Sequence, residues 1–402
     1  MNTIHTKEAI RNYLKTCTTQ LYDNILPFWL QNAPDTEHGG FLHQFDRNGS
    51  LNSQEKGSWV QGRFTWLLSW LSNSAGSEKE RSRYLGLAET GARFILDHTI
   101  APNGRCYYLL SRSGEPLRQR RYLFSEVFTA LGLHAYGSAA GDKESVEQAK
   151  RLIEVINHYL AHPELLESKY LPGVVSLRSH SMTMIMINLF QQMRSQSSNT
   201  EVKIGLTKRI EKQIDEFLRY FFHPSEEVVL EFSGPEGEIV DTPAGREINP
   251  GHSLETAWFL MEEYRYTKNH FYLERAMQIV DWAFARGWDT RYGGFFSFLD
   301  LYGHDSPHIE AAMKYWWPHT EALYASLLAY ALSGKENYAD YFLQVADYLF
   351  GSFPDPEYPE WFGYLSRDGV PASGAKGNLW KGPFHIPRSL KLCLDLRPLL
   401  GL

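Results

Sequence analysis

The chain is poor in cysteine and rich in little that would mark a binding tail. Three cysteines, Cys17, Cys106 and Cys393, stand far apart in 402 residues. An odd, scattered set supports neither a disulfide framework nor a zinc ligand set, and points to reduced thiols in the cytoplasm. No apolar run approaches the length of a membrane span. The segment MIMINLF (184–190) is far too short, and the N-terminal MNTIHTKEAIRNYLKT lacks a signal-type apolar core and reads as an amphipathic helix start. Basic residues are outnumbered: 40 Lys and Arg against 47 Asp and Glu give a net charge of −7. Nucleic acid and anionic membrane surfaces, which need concentrated positive charge, are thereby disfavoured as partners. There is no Pro/Ser/Gly-rich linker or low-complexity tract, so one catalytic domain over 1–402 is expected. HExxH, GxSxG and Walker A motifs are missing, and GSAAGDKES (137–145) matches a phosphate loop by composition only. No cluster of His and carboxylate has metal-ligand spacing.

Aromatic residues, in contrast, are abundant: 11 Trp, 23 Tyr and 23 Phe, enough to line a cavity as well as fill a core. About every 65 residues a helical segment opens near a polar or charged side chain. These are Arg63 in WVQGRFTWLL, Glu126 in LFSEVFTALGL, His180 in SHSMTMIMINL, His252 in PGHSLETAWFL, His319 in WWPHTEALYASLL and His385 in PFHIPRSLKL. Between them recur short aromatic, glycine-punctuated runs at 37–50, 104–116, 228–238, 292–304 and 360–371, with a degraded copy at 170–180. They read as hairpins. Two helices and a hairpin, six times over, predict an all-α (α/α)6 barrel: a toroid of six inner and six outer helices with short β-hairpins on one face. The inner helices should be apolar nearly all round, as in SMTMIMINLF and ALYASLLAYAL. The six helix starts would then converge at one mouth.

Several of these residues suit proton chemistry, and each has a plainer alternative. His252 follows Asn249, Pro250 and Gly251, with Glu255 three residues on along the same helix face. A carboxylate there could hold one imidazole nitrogen and leave the other as a base; a helix-start histidine satisfied by backbone explains the pattern too. His385 is pinned between Pro383 and Pro387, which suits a base aimed at one atom and equally a buried structural residue. Arg63, among Trp59 and Trp66, could neutralise an oxyanion or simply pair with Glu126, whose place in a first helical turn is electrostatically favourable anyway. Trp316, Trp317, His319 and Glu321 around Pro318 read as a sugar platform or as core aromatics that start a helix. Paired histidines, an arginine, carboxylates and tryptophans suit proton transfer on a carbohydrate.

KGSWVQGRFTW, LFSEVF, GREINPGHSLETAWFL, GWDTRYGGFFSF, MKYWWPHTEA, FPDPEYPEWFGYLSRDG and KGPFHIPRSL closely resemble the N-acylglucosamine 2-epimerases, in order and from about residue 20 to the C-terminus. The resemblance implies an (α/α)6 barrel and reversible inversion at C2 of N-acetylglucosamine to give N-acetylmannosamine. It implies His252 and His385 as catalytic bases, with Arg63, Glu126, Glu255, Trp317, Glu321 and Trp380 at the substrate. Relatives often carry a third histidine near SHSMTMIMIN; here Thr183 stands at that place, with His180 one turn earlier. Inversion needs a proton removed from one face of an open-chain sugar and another returned to the opposite face, hence two bases. No cofactor is required by that chemistry. ATP is expected, from the resemblance alone, only as an activator, and a cytoplasmic homodimer as the assembly. The rival readings are a mannose-type isomerase or cellobiose-type epimerase of the same superfamily, a glycosidase built on two carboxylates such as Glu126 with Glu255 or Glu321, and a non-catalytic protein-binding relative.

Overall fold

A computed structural model describes residues 3–120, 122–166 and 176–402. Twelve helices dominate it: α1 (Thr3–Thr19), α2 (Ser58–Ser72), α3 (Glu78–Phe94), α4 (Phe124–Ala140), α5 (Lys143–Ala161), α6 (His180–Gln196), α7 (Thr200–Tyr220), α8 (Pro250–Thr267), α9 (His270–Gly287), α10 (Trp316–Ser333), α11 (Glu336–Ser352) and α12 (His385–Asp395). Even-numbered helices pack on one another in sequence order and form the inner ring; each odd-numbered helix packs outside an inner one. The expected (α/α)6 barrel is the observed architecture.

Burial explains which helix goes where. The outer α5 hides Ala149, Leu152, Ile153 and Ile156, one stripe at helical spacing, and turns charge to solvent; Asp142 caps it by accepting from Ser145 N at 3.2 Å. Each of its larger apolar side chains contributes about 1.5–3 kcal/mol by burial. The inner α10 has no polar face of comparable width: from Trp316 to Tyr330 all but Trp317 are buried. Inner helices also approach closely. A Cβ on Gly62 of α2 would lie 2.1 Å from the Phe128 carbonyl oxygen of α4, so only glycine fits there.

The ring closes on the N-terminus. α1 serves as the outer helix for α12, tied by Arg397 Nη2 to the Thr18 hydroxyl (2.9 Å) and the Leu14 carbonyl (3.2 Å). The chain then runs on through a π-helical stretch, Gln20–Ile25, and a short helix, Leu26–Asn32.

The strands are shorter and less local than expected. Gln44–Phe45 with Leu51–Ser53, and Tyr107–Leu110 with Pro116–Gln119, are hairpins within their segments. Phe222–His223 with Val228–Val229 and the Leu365–Pro371 bridge are local too, but the later segments also pair across the barrel face: Phe232–Ser233 with Arg178–Ser179, Leu299–Asp300 with Glu247–Ile248, and Tyr364–Leu365 with Lys314–Tyr315. Each partner strand leads directly into an inner helix, so these ladders aim the helix starts. Most of the degraded copy at 170–180 lies outside the described residues; Arg178–Ser179 is its described part.

Three buried ion clusters repeat around the same face. Asp35, Asp289 and Asp355 each follow an outer-helix segment. Each accepts a buried lysine from the run before the next inner helix and an arginine from a neighbouring hairpin: Lys56 (2.9 Å) and Arg112 (2.9 Å), Lys314 (3.1 Å) and Arg367 (2.8 Å), Lys376 (2.8 Å) and Arg47 (2.8 Å). Burial opposes ionisation of Asp35 and Asp289, but their cations outweigh it and hold both carboxyls well below the usual range. Arg47 does the same for Asp355. Unpaired, such buried charges are costly; paired, they fix the loops at the mouth.

Candidate active site

At the mouth lies a cavity of about 270 Å³ whose walls include Arg63, His252, Glu255, Trp317, Trp380 and His385. Six of the eight residues expected at the site therefore share it. Trp317 stands between the two histidines, its ring 5.2 Å from that of His252 and 5.7 Å from that of His385.

His252 sits in the first turn of α8. Asn249 caps this helix, its side-chain oxygen accepting from His252 N at 3.1 Å, and Pro250 presets the first helical φ. His252 Nδ1 donates to Glu231 Oε2 at 2.8 Å, which leaves Nε2 as the nitrogen available to a proton. Burial disfavours the imidazolium, but the Glu231 carboxylate outweighs it and raises the pKa above 6.5. His385 opens α12, and its Nδ1 donates to Glu321 Oε1 at 2.8 Å. Burial, with Arg388 and Arg63 nearby, holds this ring well below 6.5. One fold thus supplies two carboxylate-oriented imidazoles whose proton affinities are pushed apart, the arrangement suited to one acid and one base at neutral pH.

Glu321 does not line the cavity; it lies behind His385, also accepting from Trp258 Nε1 (2.8 Å) and Arg388 Nη2 (2.8 Å). Arg63 lies half-buried in the second turn of α2, over the rings of Phe128 (3.8 Å) and Phe384 (4.8 Å). Burial draws its pKa down to about 9, partly offset by Glu255, so it remains a cation at neutral pH. Its Nε is buried with no hydrogen-bond partner among the described residues, a donor open to a ligand oxygen. Trp380 is 51% exposed and forms the rim.

Three expectations are corrected. Glu126 is fully buried but outside the cavity: Arg105 Nε (2.5 Å) and Cys106 N (2.9 Å) hold its Oε1, because the first turn of α4 points it toward the preceding hairpin. It pairs with Arg105 and not with Arg63. Glu255 is not the partner of His252. The i, i+3 spacing carries it further along the barrel axis, where Arg388 Nη2 donates to it at 2.6 Å. His319 is structural: its Nδ1 donates to the Tyr315 carbonyl (2.6 Å), its Nε2 accepts from Phe295 N (2.8 Å), and burial draws its pKa to about 3.

Two residues escaped the sequence reading. Glu231 lies in the VVLEFSG run, with no periodic link to a histidine 21 positions away. Arg388 had a usable signal, the same i, i+3 spacing from His385 that singled out Glu255 after His252. Glu255, Glu321 and His385 offer ligand atoms within 4.8 Å of one another, as a metal site would, and the Arg388 guanidinium supplies the positive charge between the two carboxylates. His180 is buried beside His252, its ring 6.3 Å away, with Nε2 2.9 Å from Thr256 Oγ1 and Nδ1 3.7 Å from Glu231. Thr183 is not in the wall; Ser181, Met184 and Ile185 are. GSAAGDKES is a tight helix–helix turn: Gly141 (φ 74°) ends α4, and the Asp142 carboxylate occupies the α5 N-terminus where a phosphate would sit.

Residues 39–385 match the family model described as N-acylglucosamine 2-epimerase (GlcNAc 2-epimerase). The chain is 32% identical over 397 residues to N-acylglucosamine 2-epimerase of Bos taurus, covering 97% of this chain and 92% of that protein. With N-acylglucosamine 2-epimerase of Homo sapiens it shares 33% identity, over 94% and 88% of the two chains. The fold is that of a cellobiose 2-epimerase structure from Bacillus thermoamylovorans, with a TM-score of 0.82 at 19% identity over 96% of this chain and 99% of the other.

Proposed function

The chain belongs to the N-acylglucosamine 2-epimerase family, and from that premise we propose that His252 and His385 interconvert N-acetylglucosamine and N-acetylmannosamine by moving the C2 proton between the two faces of the open-chain sugar. It is a sugar epimerase, an enzyme of the isomerase class. The observation that carries the reading of the site is the pair of imidazoles on either side of Trp317, each with Nδ1 tied to its own carboxylate.

Ring opening exposes the C1 aldehyde and acidifies the C2 proton. His385, whose proton affinity burial and the Arg388 and Arg63 cations hold down, is the ready base, and His252, whose imidazolium form Glu231 favours against burial, is the partner acid. Nε2 of His385 takes the C2 proton, the electron pair moves into an enolate whose charge rests on O1, and Nε2 of His252 returns a proton to the opposite face. The reverse direction starts from the opposite protonation of the pair. Arg63, whose Nε has no partner among the described residues, stabilises O1 as charge develops. Trp317 and Trp380 offer ring faces to the apolar side of the sugar, and Arg388 donates to Glu321 and so fixes the carboxylate that orients His385. The cavity volume suits a monosaccharide.

This chemistry calls on no cofactor. ATP enters the reading as an activator bound away from the histidines, supported only by the family resemblance. A cytoplasmic homodimer belongs to the same reading; the three separate buried thiols fit a reducing compartment, and sedimentation checks the assembly. Incubating each amino sugar with enzyme in D₂O tests the central claim. Interconversion with deuterium at C2 is the expected result. A ketose product would indicate an isomerase, and complete retention of the C2 hydrogen would exclude deprotonation and reprotonation.

A further inference from the structure

The turns that follow three outer-helix segments are copies of one another, and one copy is altered. In each, an Asp is followed six residues later by an aromatic residue bridged to the residue before the Asp: Pro34 with Phe41, Trp288 with Phe295, Pro354 with Trp361. The residue before the aromatic is left-handed in all three, at φ 64° for Gly40, 72° for Gly294 and 68° for Glu360. Glycine adopts that backbone freely; a buried glutamate does so only against steric strain.

The aromatic N–H needs an acceptor. In the first copy Phe41 N donates to Gln61 Oε1 (2.8 Å), and in the second Phe295 N donates to His319 Nε2 (2.8 Å). Gln61 and His319 each stand five residues after the buried lysine of their cluster, Lys56 and Lys314, within helices already begun at Ser58 and Trp316. In the third copy the residue five after Lys376 is Lys381, which has no acceptor to offer. Glu360 supplies it: its Oε1 accepts both Trp361 N and Lys381 Nζ at 2.8 Å, and its Oε2 accepts from Trp29 Nε1. Here, too, the helix has not yet begun. Residues 377–384 stay non-helical, Asn378 Oδ1 receives the N–H groups of Trp380 and Lys381 at 2.8 Å each, and α12 starts only at His385.

We propose that the Glu360–Lys381 pair is a positioning device for epimerisation: it holds the unwound run before α12 so that Trp380 stands at the cavity rim and His385 opens the helix opposite His252. Lys381 is fully buried and four residues from His385, and its Nζ also binds the Lys376 carbonyl at 2.8 Å. The strained backbone at Glu360 is kept in the one copy whose following segment carries a proposed catalytic base; the other two copies lead into helices that begin directly.

The inference rests on the reading of His385 as a base, so His385→Ala accompanies the test. Two double variants avoid leaving a lone buried charge. Glu360→Gly with Lys381→Gln installs the arrangement of Gly40 and Gln61, and Glu360→Gln with Lys381→Met keeps side-chain volume without charge. Both are expected to fold with melting temperatures near that of the parent. Both should lose about tenfold or more in kcat, as a misplaced catalytic group does, with little change in KM and a moved acid limb in the pH profile of kcat/KM. Parental kcat and pH profile in the folded doubles, with His385→Ala inactive, would overturn the positioning role alone. Loss of the folded state in both doubles would assign the pair to closure of the ring and overturn it as well. An active His385→Ala would instead refute the reading of the site.

Discussion

Replacing Glu231 with Gln removes one charge and little volume from beside His252. The carboxylate accepts from His252 Nδ1 at 2.8 Å and is itself 5% exposed, so it is poorly screened by water. A hydrogen bond to a charged group is worth about 1.5–3 kcal/mol, and about 1.4 kcal/mol of transition-state stabilisation is a factor of ten. The imidazolium form of His252, which donates the proton in one direction and forms in the other, loses that support, so kcat should fall about ten- to a hundredfold while KM changes modestly. The pH profile carries the sign. In the parent, Glu231 raises the His252 pKa against the opposing effect of burial; with a neutral amide, burial prevails and the pKa falls. The alkaline limb of kcat/KM should therefore move to lower pH. Steady-state rates across pH, read with the melting temperature on the same preparation, decide the matter. A folded Glu231→Gln enzyme with unchanged kcat and an unmoved alkaline limb would refute the assignment of Glu231 as the partner that tunes His252.

His252→Ala and His385→Ala should each abolish net epimerisation, a loss of about 10²-fold or more, while one of them still exchanges the C2 proton of one epimer with D₂O through the surviving base; NMR of each recovered sugar reads this directly. Glu126→Gln should lower thermal stability by weakening the hold on Arg105 and Cys106 N, yet leave kcat of the folded enzyme near parental, since its carboxylate is outside the cavity. Asp289→Asn leaves Lys314 and Arg367 without their carboxylate and should cost about 3–5 kcal/mol, measured by denaturant unfolding. For Asp35, Asp289 and Asp355 the folded pKa is depressed, so their stabilisation is fully present above the unfolded value of about 3.9 and is lost as pH falls through the lower folded value. Acid unfolding by circular dichroism should accordingly set in below about pH 4.

What the sequence by itself determined was periodic or local. The six inner-helix segments, the all-round apolar character of those such as Trp316–Ser333 and the helix-start placing of His252 and His385 follow from side-chain spacing and from the Asn-Pro-Gly and Pro-flanked contexts, because backbone preference and binary pattern act over a few residues. Long blocks such as KGPFHIPRSL and NPGHSLETAWFL placed the histidines in a family. Tertiary structure decided which groups those residues meet. Glu126 was drawn to Arg105 and Glu255 to Arg388, while His252 took its carboxylate from Glu231 in a loop 21 residues upstream. Beside the local hairpins, further strand pairings crossed between units, which local turns do not encode. Side-chain partners at the mouth of a ring come from units far apart in the chain, and a pairwise Coulomb or hydrogen-bond preference depends on distance in space, which no short-range pattern encodes. The same holds for Glu360: a glutamate in a glycine's place is visible in the sequence, but that it faces Lys381, Trp29 and the run into His385 exists only once the first and last units have closed the ring.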